Sequence, residues 1–348
     1  MNSEIKTFGT LDDGREVKLV TLSAGELTLT VSSLGATLVS LSVPSRLHGV
    51  DDVLLGYDGL EGYSANRYYL GTTVGRFANR INGARFSLNG REYGVSANKP
   101  DCSLHGGVMG FSKLLWSADT YRDSDAVFAR FELFSPDCDQ GYPGNLKASV
   151  SYGLNAENEL LAHYEAVCDA PCPVNLTHHA YFNLAGQGRN IDVLSTRVKL
   201  YSSSYVEVDD HFMPTGRLKS VEGTPLDFRT EKPIGQDIAP LAESSLGGYD
   251  HCMAADGEFG TLRPFGEFFE PLTGRRMKMS LTQPGVQFYT GNMLPGIAGK
   301  GGTVYGRYSG FCVEPEFFPD TPNQPAFPNA VFGPGRDYNE KAVYKFEW

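Results

Sequence analysis

A chain of 348 residues with 30 Lys plus Arg against 41 Asp plus Glu carries a formal net charge of −11 and a pI near 5.1. That acidic balance disfavours nucleic acid, anionic membranes and anionic substrates, and a neutral small molecule suits it better. At 41% hydrophobic and 12% aromatic, the chain buries a sizeable core and is not disordered.

The N-terminal "MNSEIKTFGTLDDGREVKLV" has no basic start followed by an apolar run, so it does not read as a signal peptide. Nothing approaches the ~18 consecutive apolar residues of a membrane-spanning helix. Strands then follow one another along the chain. Polar and apolar residues alternate in "ELTLTV" (26–31), "TLVSLSV" (37–43), "LKASVSYGL" (146–154), "LLAHYEAV" (160–167) and "RVKLYSSSYVEV" (197–208). Turn signals separate these runs at Asn82-Gly83, Asn89-Gly90, "GYPG" (141–144) and "LTGR" (272–275). Asn-Gly is the strongest short hairpin signal, because both central turn residues need positive φ. "TEKPIGQDIAPLAESS" (230–245) has room for one or two short helical turns, and 40 Gly with 20 Pro leave little room for long helices. No βαβ rhythm, repeat or low-complexity linker interrupts the pattern. The expected fold class is all-β: one large antiparallel β-sandwich, residues 1–348, in a single domain.

The stretch "NLTHHAYFNL" (175–184) places two of the chain's seven histidines side by side. On one extended strand Asn175, Thr177, His179, Tyr181 and Asn183 share a face, while Leu176, His178, Ala180, Phe182 and Leu184 share the other. A solvated face tends to carry Lys, Glu, Ser or Thr. Asn, His and Tyr are rigid donors and acceptors suited to a neutral ligand. His178, alone on the apolar row, reads as a core histidine.

Further polar residues stand in glycine-rich loops that could line a cleft: Arg76, Asn79 and Arg80 in "VGRFANRINGA", His105 in "CSLHGG", and Asp250 and His251 in "GGYDHC". Gln283 precedes the Pro-Gly of "LTQPGVQFYTGN", and Glu314 and Glu316 stand in "SGFCVEPEFFPD". Six cysteines (102, 138, 168, 172, 252, 312) at uneven spacing read as reduced, mostly buried thiols of a cytoplasmic protein. No second Cys or His pair accompanies Cys168 and Cys172 at zinc-site spacing, so no metal is expected. "AGKGG" (298–302) lacks the spacing and ending of a phosphate loop. No cofactor is expected either.

Taken in order, "GRFANRI", "SLHGG", "GYPG", "VNLTHHAYFNLAGQ", "YDH", "TQPGVQFYTGN" and "SGFCVE" followed by "FPDTPNQPAFP" resemble the aldose 1-epimerases, the galactose mutarotases. The match runs from about residue 8 to the C-terminus. The resemblance implies a β-supersandwich with an open cleft and interconversion of the α and β anomers of free aldoses such as galactose and glucose, without a cofactor. It puts the general acid on His179 and the general base on Glu314. It puts sugar-holding residues at Asn79, Arg80, His105, Tyr181, Asp250 and Gln283. After the base, relatives commonly have a small polar residue and then Gln; this chain has Pro315 and Glu316.

Opening a cyclic hemiacetal removes the C1 hydroxyl proton and delivers one to the ring oxygen, so the chemistry needs one base and one acid. On this reading His179 is substantially protonated, favoured by a carboxylate such as Asp250. Two other classes of function stay open. Glu314 and Glu316, two apart on a strand and so about 6.6 Å apart, could be a glycoside hydrolase pair, though inverting carboxylates flank the bond from opposite sides. A non-catalytic sugar-binding module on the same scaffold is the second.

Overall fold

The computed structural model describes residues 1–348. Thirty strands, two α-helices of five and four residues and five 3-10 helices of three residues make up its regular structure, so the all-β expectation holds. Three antiparallel sheets dominate. A five-stranded N-terminal sheet runs in chain order from Asn2–Thr10 to Gly49–Asp52. A nine-stranded sheet carries the long strands Ala126–Ser135, Leu146–Asn155, Glu159–Cys168 and Tyr338–Glu347 side by side. The third sheet has six strands in the order Tyr181–Phe182, Phe311–Glu316, Gly285–Tyr289, Asp250–Ala254, Ser204–Val208, Pro214–Ser220.

One continuous apolar core draws on all three sheets, with Leu29 and Val31, Val150 and Tyr344, and Phe288, Phe311 and Val313 among its members. Period-two alternation decides which side chains join it. Along Phe311–Glu316, Phe311 and Val313 enter the core while Cys312 joins a separate cluster with Tyr181 and Tyr289. Glu314 therefore leaves the sheet on the side of that second cluster.

The Asn89-Gly90 turn forms as expected: Leu88 pairs with Arg91, and the two turn residues have φ of 52° and 77°. Asn82-Gly83 does not close a hairpin. Arg80–Asn82 pairs with Cys102–Leu104 instead, while Arg85–Leu88 pairs with Arg91–Gly94. The run 197–208 divides into two strands in different sheets, Arg197–Leu200 and Ser204–Val208, because residues 201–203 carry the chain from one layer to the other. Pro315 interrupts nothing: its strand pairs with Gly285–Tyr289 continuously from Cys312 to Glu316. On the other side Tyr181–Phe182 reaches only Phe311 and Cys312, so at Pro315 the strand is an edge, where proline is tolerated.

Two buried cations tie the layers together. Arg275, with a side chain 0% exposed, bonds Asp51 at 2.6 Å and the carbonyls of Pro44 and Leu184 at 2.9 and 3.0 Å. It thereby joins the N-terminal sheet to the end of the 175–184 stretch. Arg76 is also buried, and it donates to Ser135 Oγ and to the carbonyls of Ser135, Pro136, Pro143 and Gly144. Arg76 is thus a structural clamp on the loop before Asn79, not a cleft residue. Asp51→Ala strands the Arg275 charge without its carboxylate. The expected loss of unfolding free energy, by urea denaturation, is about 3–5 kcal/mol. A loss under about 1 kcal/mol, typical of an exposed pair, would contradict this account.

Candidate active site

The site is a lattice of two rows across the six-stranded sheet. Glu314 pairs with Gln287, and Gln287 with Cys252. One pair along, Tyr181 opposes Cys312, Cys312 opposes Tyr289, and Tyr289 opposes Asp250. Because register fixes facing, all seven side chains rise from the same side of the sheet. Two loops close over them. One brings Arg67, Tyr68 and Tyr69, and the other brings Asn79 and Arg80, with Lys99, Leu104 and His105 beside it. The resulting cleft has a volume of about 170 Å³. Tyr69, Asn79 and His105 hold positive φ of 57°, 62° and 51°. Such backbone is costly for a bulky Tyr, and sites of this kind are where it is found. Gly106 lets His105 sit so close: a Cβ there would lie 1.8 Å from the carbonyl oxygen of Gly75.

The 175–184 stretch is not one strand. Thr177–His178 pairs with Thr73–Val74 and Tyr181–Phe182 with Phe311–Cys312, with His179 between the two. Its polar row is buried throughout, so water does not explain it. Asn175 and Asn183 are braces: Asn175 bonds the backbone of Ala78 and Phe317, and Asn183 that of Ile191, Ser309 and Ala185. His179 and Tyr181 face the cleft. His178 faces the core, where Nδ1 meets the Tyr164 hydroxyl and burial pulls its pKa down to about 3. His251 is buried against Tyr205 and accepts the backbone N–H of Asp250, outside the cleft.

His179 is pinned by its backbone, donating to Thr72 O at 2.8 Å and accepting from Gly71 N at 2.9 Å. Its ring lies nearly parallel to Tyr181 at 5.0 Å and Tyr69 at 5.9 Å, and edge-on to His105 at 5.4 Å. Nε2 stands 3.7 Å from Glu314 Oε1, and Nδ1 stands 3.5 Å from the Cys312 sulfur. Burial lowers the His179 pKa to about 4. Burial first, then Glu316 and Asp250, push the Glu314 carboxyl well above the usual carboxylate range. The expectation that Asp250 keeps His179 protonated is therefore corrected. Desolvation of the imidazolium outweighs any nearby carboxylate, and the pair shares one proton on the Glu314 side.

Of the other expected sugar ligands, Asn79, Arg80, His105, Tyr181 and Asp250 line the cleft together. Gln283 does not, and this is a correction. It lies before the strand Gly285–Tyr289, fully buried, its side chain unpartnered and its carbonyl taking Arg263. Four residues on, roughly 13 Å along an extended chain, Gln287 occupies the cleft. It donates to Asp250 Oδ1 at 2.6 Å and accepts from Asn79 at 3.1 Å. Alternation within "GVQFY" was the available signal, with Val286 and Phe288 in the core. Tyr69 left no such signal, since it arrives on an irregular loop. Glu316 is buried outside the cleft lining, which removes the paired-carboxylate geometry of a hydrolase. His179, Cys312 and Glu314 present donor atoms within 4.8 Å of one another, the set with metal-ligand potential. Burial holds the Cys312 thiol protonated, which makes it a poor ligand.

The family model for aldose 1-epimerase matches residues 18–345. The chain is 40% identical to the galactose mutarotase of Rattus norvegicus over 97% of both chains, and 39% identical to that of Homo sapiens over the same shares. It is 36% identical to the aldose 1-epimerase of Escherichia coli over 96% of both. Among solved structures, galactose 1-epimerase from Lactobacillus acidophilus superposes with a TM-score of 0.85 at 26% identity, covering 99% of this chain and 98% of that one. With the family model matching residues 18–345 and relatives about 40% identical along nearly the whole chain, this protein belongs to the aldose 1-epimerase family of isomerases.

Proposed function

We propose that the chain interconverts the α and β anomers of free aldohexoses such as galactose and glucose, with Glu314 and His179 as the proton-transferring pair. The observation that carries the roles is the 3.7 Å approach of the buried His179 Nε2 and Glu314 Oε1 in a cleft lined with rigid donors and acceptors. The pair holds the one mobile proton the reaction needs. Transfer of that proton to His179 as the sugar enters leaves a carboxylate and an imidazolium. Glu314 then takes the C1 hydroxyl proton, the C1–O5 bond breaks as C1=O1 forms, and His179 gives its proton to O5. Rotation about C1–C2 presents the other aldehyde face. On reclosure His179 takes the O5 proton back, O5 attacks C1, and Glu314 returns its proton to O1. Each positioned group supplies roughly 10²- to 10⁴-fold.

Asp250, Gln287, Asn79 and Arg80 support the holding of ring hydroxyls while C1 turns, and Tyr69 and Tyr181 offer flat faces for the apolar side of the ring. The relatives named galactose mutarotase support galactose as a substrate.

Polarimetry of freshly dissolved α-D-galactose and α-D-glucose should reach equilibrium rotation faster with the protein than without, and no acceleration of either would sink the reading. His179→Asn should lower the rate at least about 100-fold at unchanged Tm. His178→Asn should keep most activity and lose about 1–3 kcal/mol of stability through its broken bond to Tyr164. Equal loss of activity in the two variants would defeat the assignment.

Glu314→Gln, which keeps shape but cannot accept a proton, should lower the rate at least about 100-fold, while the wild type leaves p-nitrophenyl galactosides uncut. Dialysis against EDTA should not change the rate; a loss restored by a divalent ion would give the His179, Cys312 and Glu314 group a metal and overturn the metal-free scheme.

A further inference from the structure

Behind the cleft, Glu316 is a carboxyl with no cation in contact. It is 1% exposed, and Oε1 accepts a hydrogen bond from Asn79 Nδ2 at 3.0 Å. The same Asn79 amide nitrogen donates to Gln287 Oε1 at 3.1 Å, and Gln287 Nε2 donates to Asp250 Oδ1 at 2.6 Å. The direction of this chain is forced from both ends. Asp250 accepts, so Gln287 must turn its amide nitrogen toward it and its oxygen toward Asn79. Asn79 must then point its nitrogen at both Gln287 and Glu316, leaving its oxygen for Arg80 at 3.4 Å. An acceptor at position 316 is what closes the sequence. Without it, one Asn79 N–H is buried and unpaired, and the amides are free to flip.

The second consequence is electrostatic. Glu316 and Glu314 leave the same face of one strand, about 6.6 Å apart. The groups that face Glu316 are Glu314 on its own strand, Asp250 and the Cys252 thiol from the strand beyond Gly285–Tyr289, and Asn79 and Arg80 from the loop, with Tyr338 near by. His179 faces Glu314. Arg80 is the lone cation among these, and no direct bond joins it to either glutamate. Two acids so placed resist both being charged, and they titrate as a pair.

We propose that Glu316 is a positioning residue of the reaction: it anchors the Asn79–Gln287–Asp250 chain that holds the sugar, and as a second buried acid it keeps a proton on the Glu314–His179 pair. The second half rests on the roles proposed for Glu314 and His179. Burial, more than any other influence, pushes the Glu316 carboxyl up to about 8, so it is neutral across most of the working range. As Glu316 gains charge, it raises the proton affinity of Glu314. The sign follows. Removing the acid at 316 lets Glu314 lose its proton at lower pH, which moves the alkaline limb of the rate profile acidward. The acidic limb, set by His179 gaining a second proton on the pair, stays where it was.

Three measurements test this. In the wild type, isotope-labelled glutamate Cδ resonances should include one with a midpoint at about 8 and another above the normal range; if every glutamate titrates below about pH 6, the proposal fails without any variant. Glu316→Gln keeps an acceptor for Asn79, so KM should hold within about 2-fold while the alkaline limb of kcat moves acidward by about one pH unit. Glu316→Leu removes the acceptor, and KM should rise about 10-fold, a loss that Gln avoids. An unmoved limb in Glu316→Gln overturns the electrostatic role. Abolished activity in that variant at unchanged Tm would make Glu316 a reacting group and overturn the positioning role. Failure of the Glu314 assignment shows separately, as full activity in Glu314→Gln with the wild-type glutamate titration unchanged.

Discussion

The cleft depends on one constraint, the register that sets Glu314 opposite Gln287 and Tyr289 opposite both Cys312 and Asp250. Side-chain facing alternates along a strand, so a slip of one residue would send the cleft face into the core and bring Val286, Phe288, Phe311 and Val313 out. The apolar core therefore fixes the chemistry. Each core side chain on these strands holds its polar neighbour in place, and the core draws on all three sheets. Arg275 and Arg76 perform a similar task at longer range: Arg275 ties the segment after the histidines to the N-terminal sheet, and Arg76 ties the loop before Asn79 to residues 143 and 144.

Burial then decides the protonation states. His178 and His179 are adjacent in sequence, and desolvation pulls both pKa values down, to about 3 and about 4. They differ in what stands opposite. His178 meets Tyr152, Tyr164 and Tyr344, whose own burial keeps them neutral. His179 meets a carboxyl that burial also drives toward neutrality, and the two together retain a proton that either can hold. A low dielectric makes separated charges costly, so it favours the neutral form of this pair, with the proton on Glu314.

Much of this was legible in the residues. Alternation identified the strands, and motif order identified the cleft residues Asn79, Arg80, His105, His179, Tyr181, Asp250 and Glu314, all of which converge. Gln283 and Gln287 were not separable by motif alone, because both stand in "TQPGVQFYTGN" and only strand pairing shows which one reaches the sheet face. The protonation of His179 is not legible in the sequence for a related reason. Sequence shows which charges are present but not how much water surrounds them, and here desolvation is the largest influence. Tyr69 was missed because its position depends on a loop whose backbone no local pattern specifies.

The charge of the whole chain is also a poor guide to the charge of the site. Arg67, Arg80 and Lys99 line the cleft and form no salt bridge, whereas the ionisable acids there are Asp250 and Glu314, the latter held protonated. Within an acidic molecule the cleft is thus locally cationic. A neutral sugar brings no charge of its own, so whatever charge develops during ring opening must be balanced by the protein. A carboxylate forming at Glu314 gains from these cations, as the imidazolium at His179 gains from that carboxylate. The edge-on His105, held neutral by burial first and then by His179, Arg80 and Lys99, adds no competing proton. On the proposed roles, the proton that moves between Glu314 and His179 then has no rival on the neighbouring imidazole.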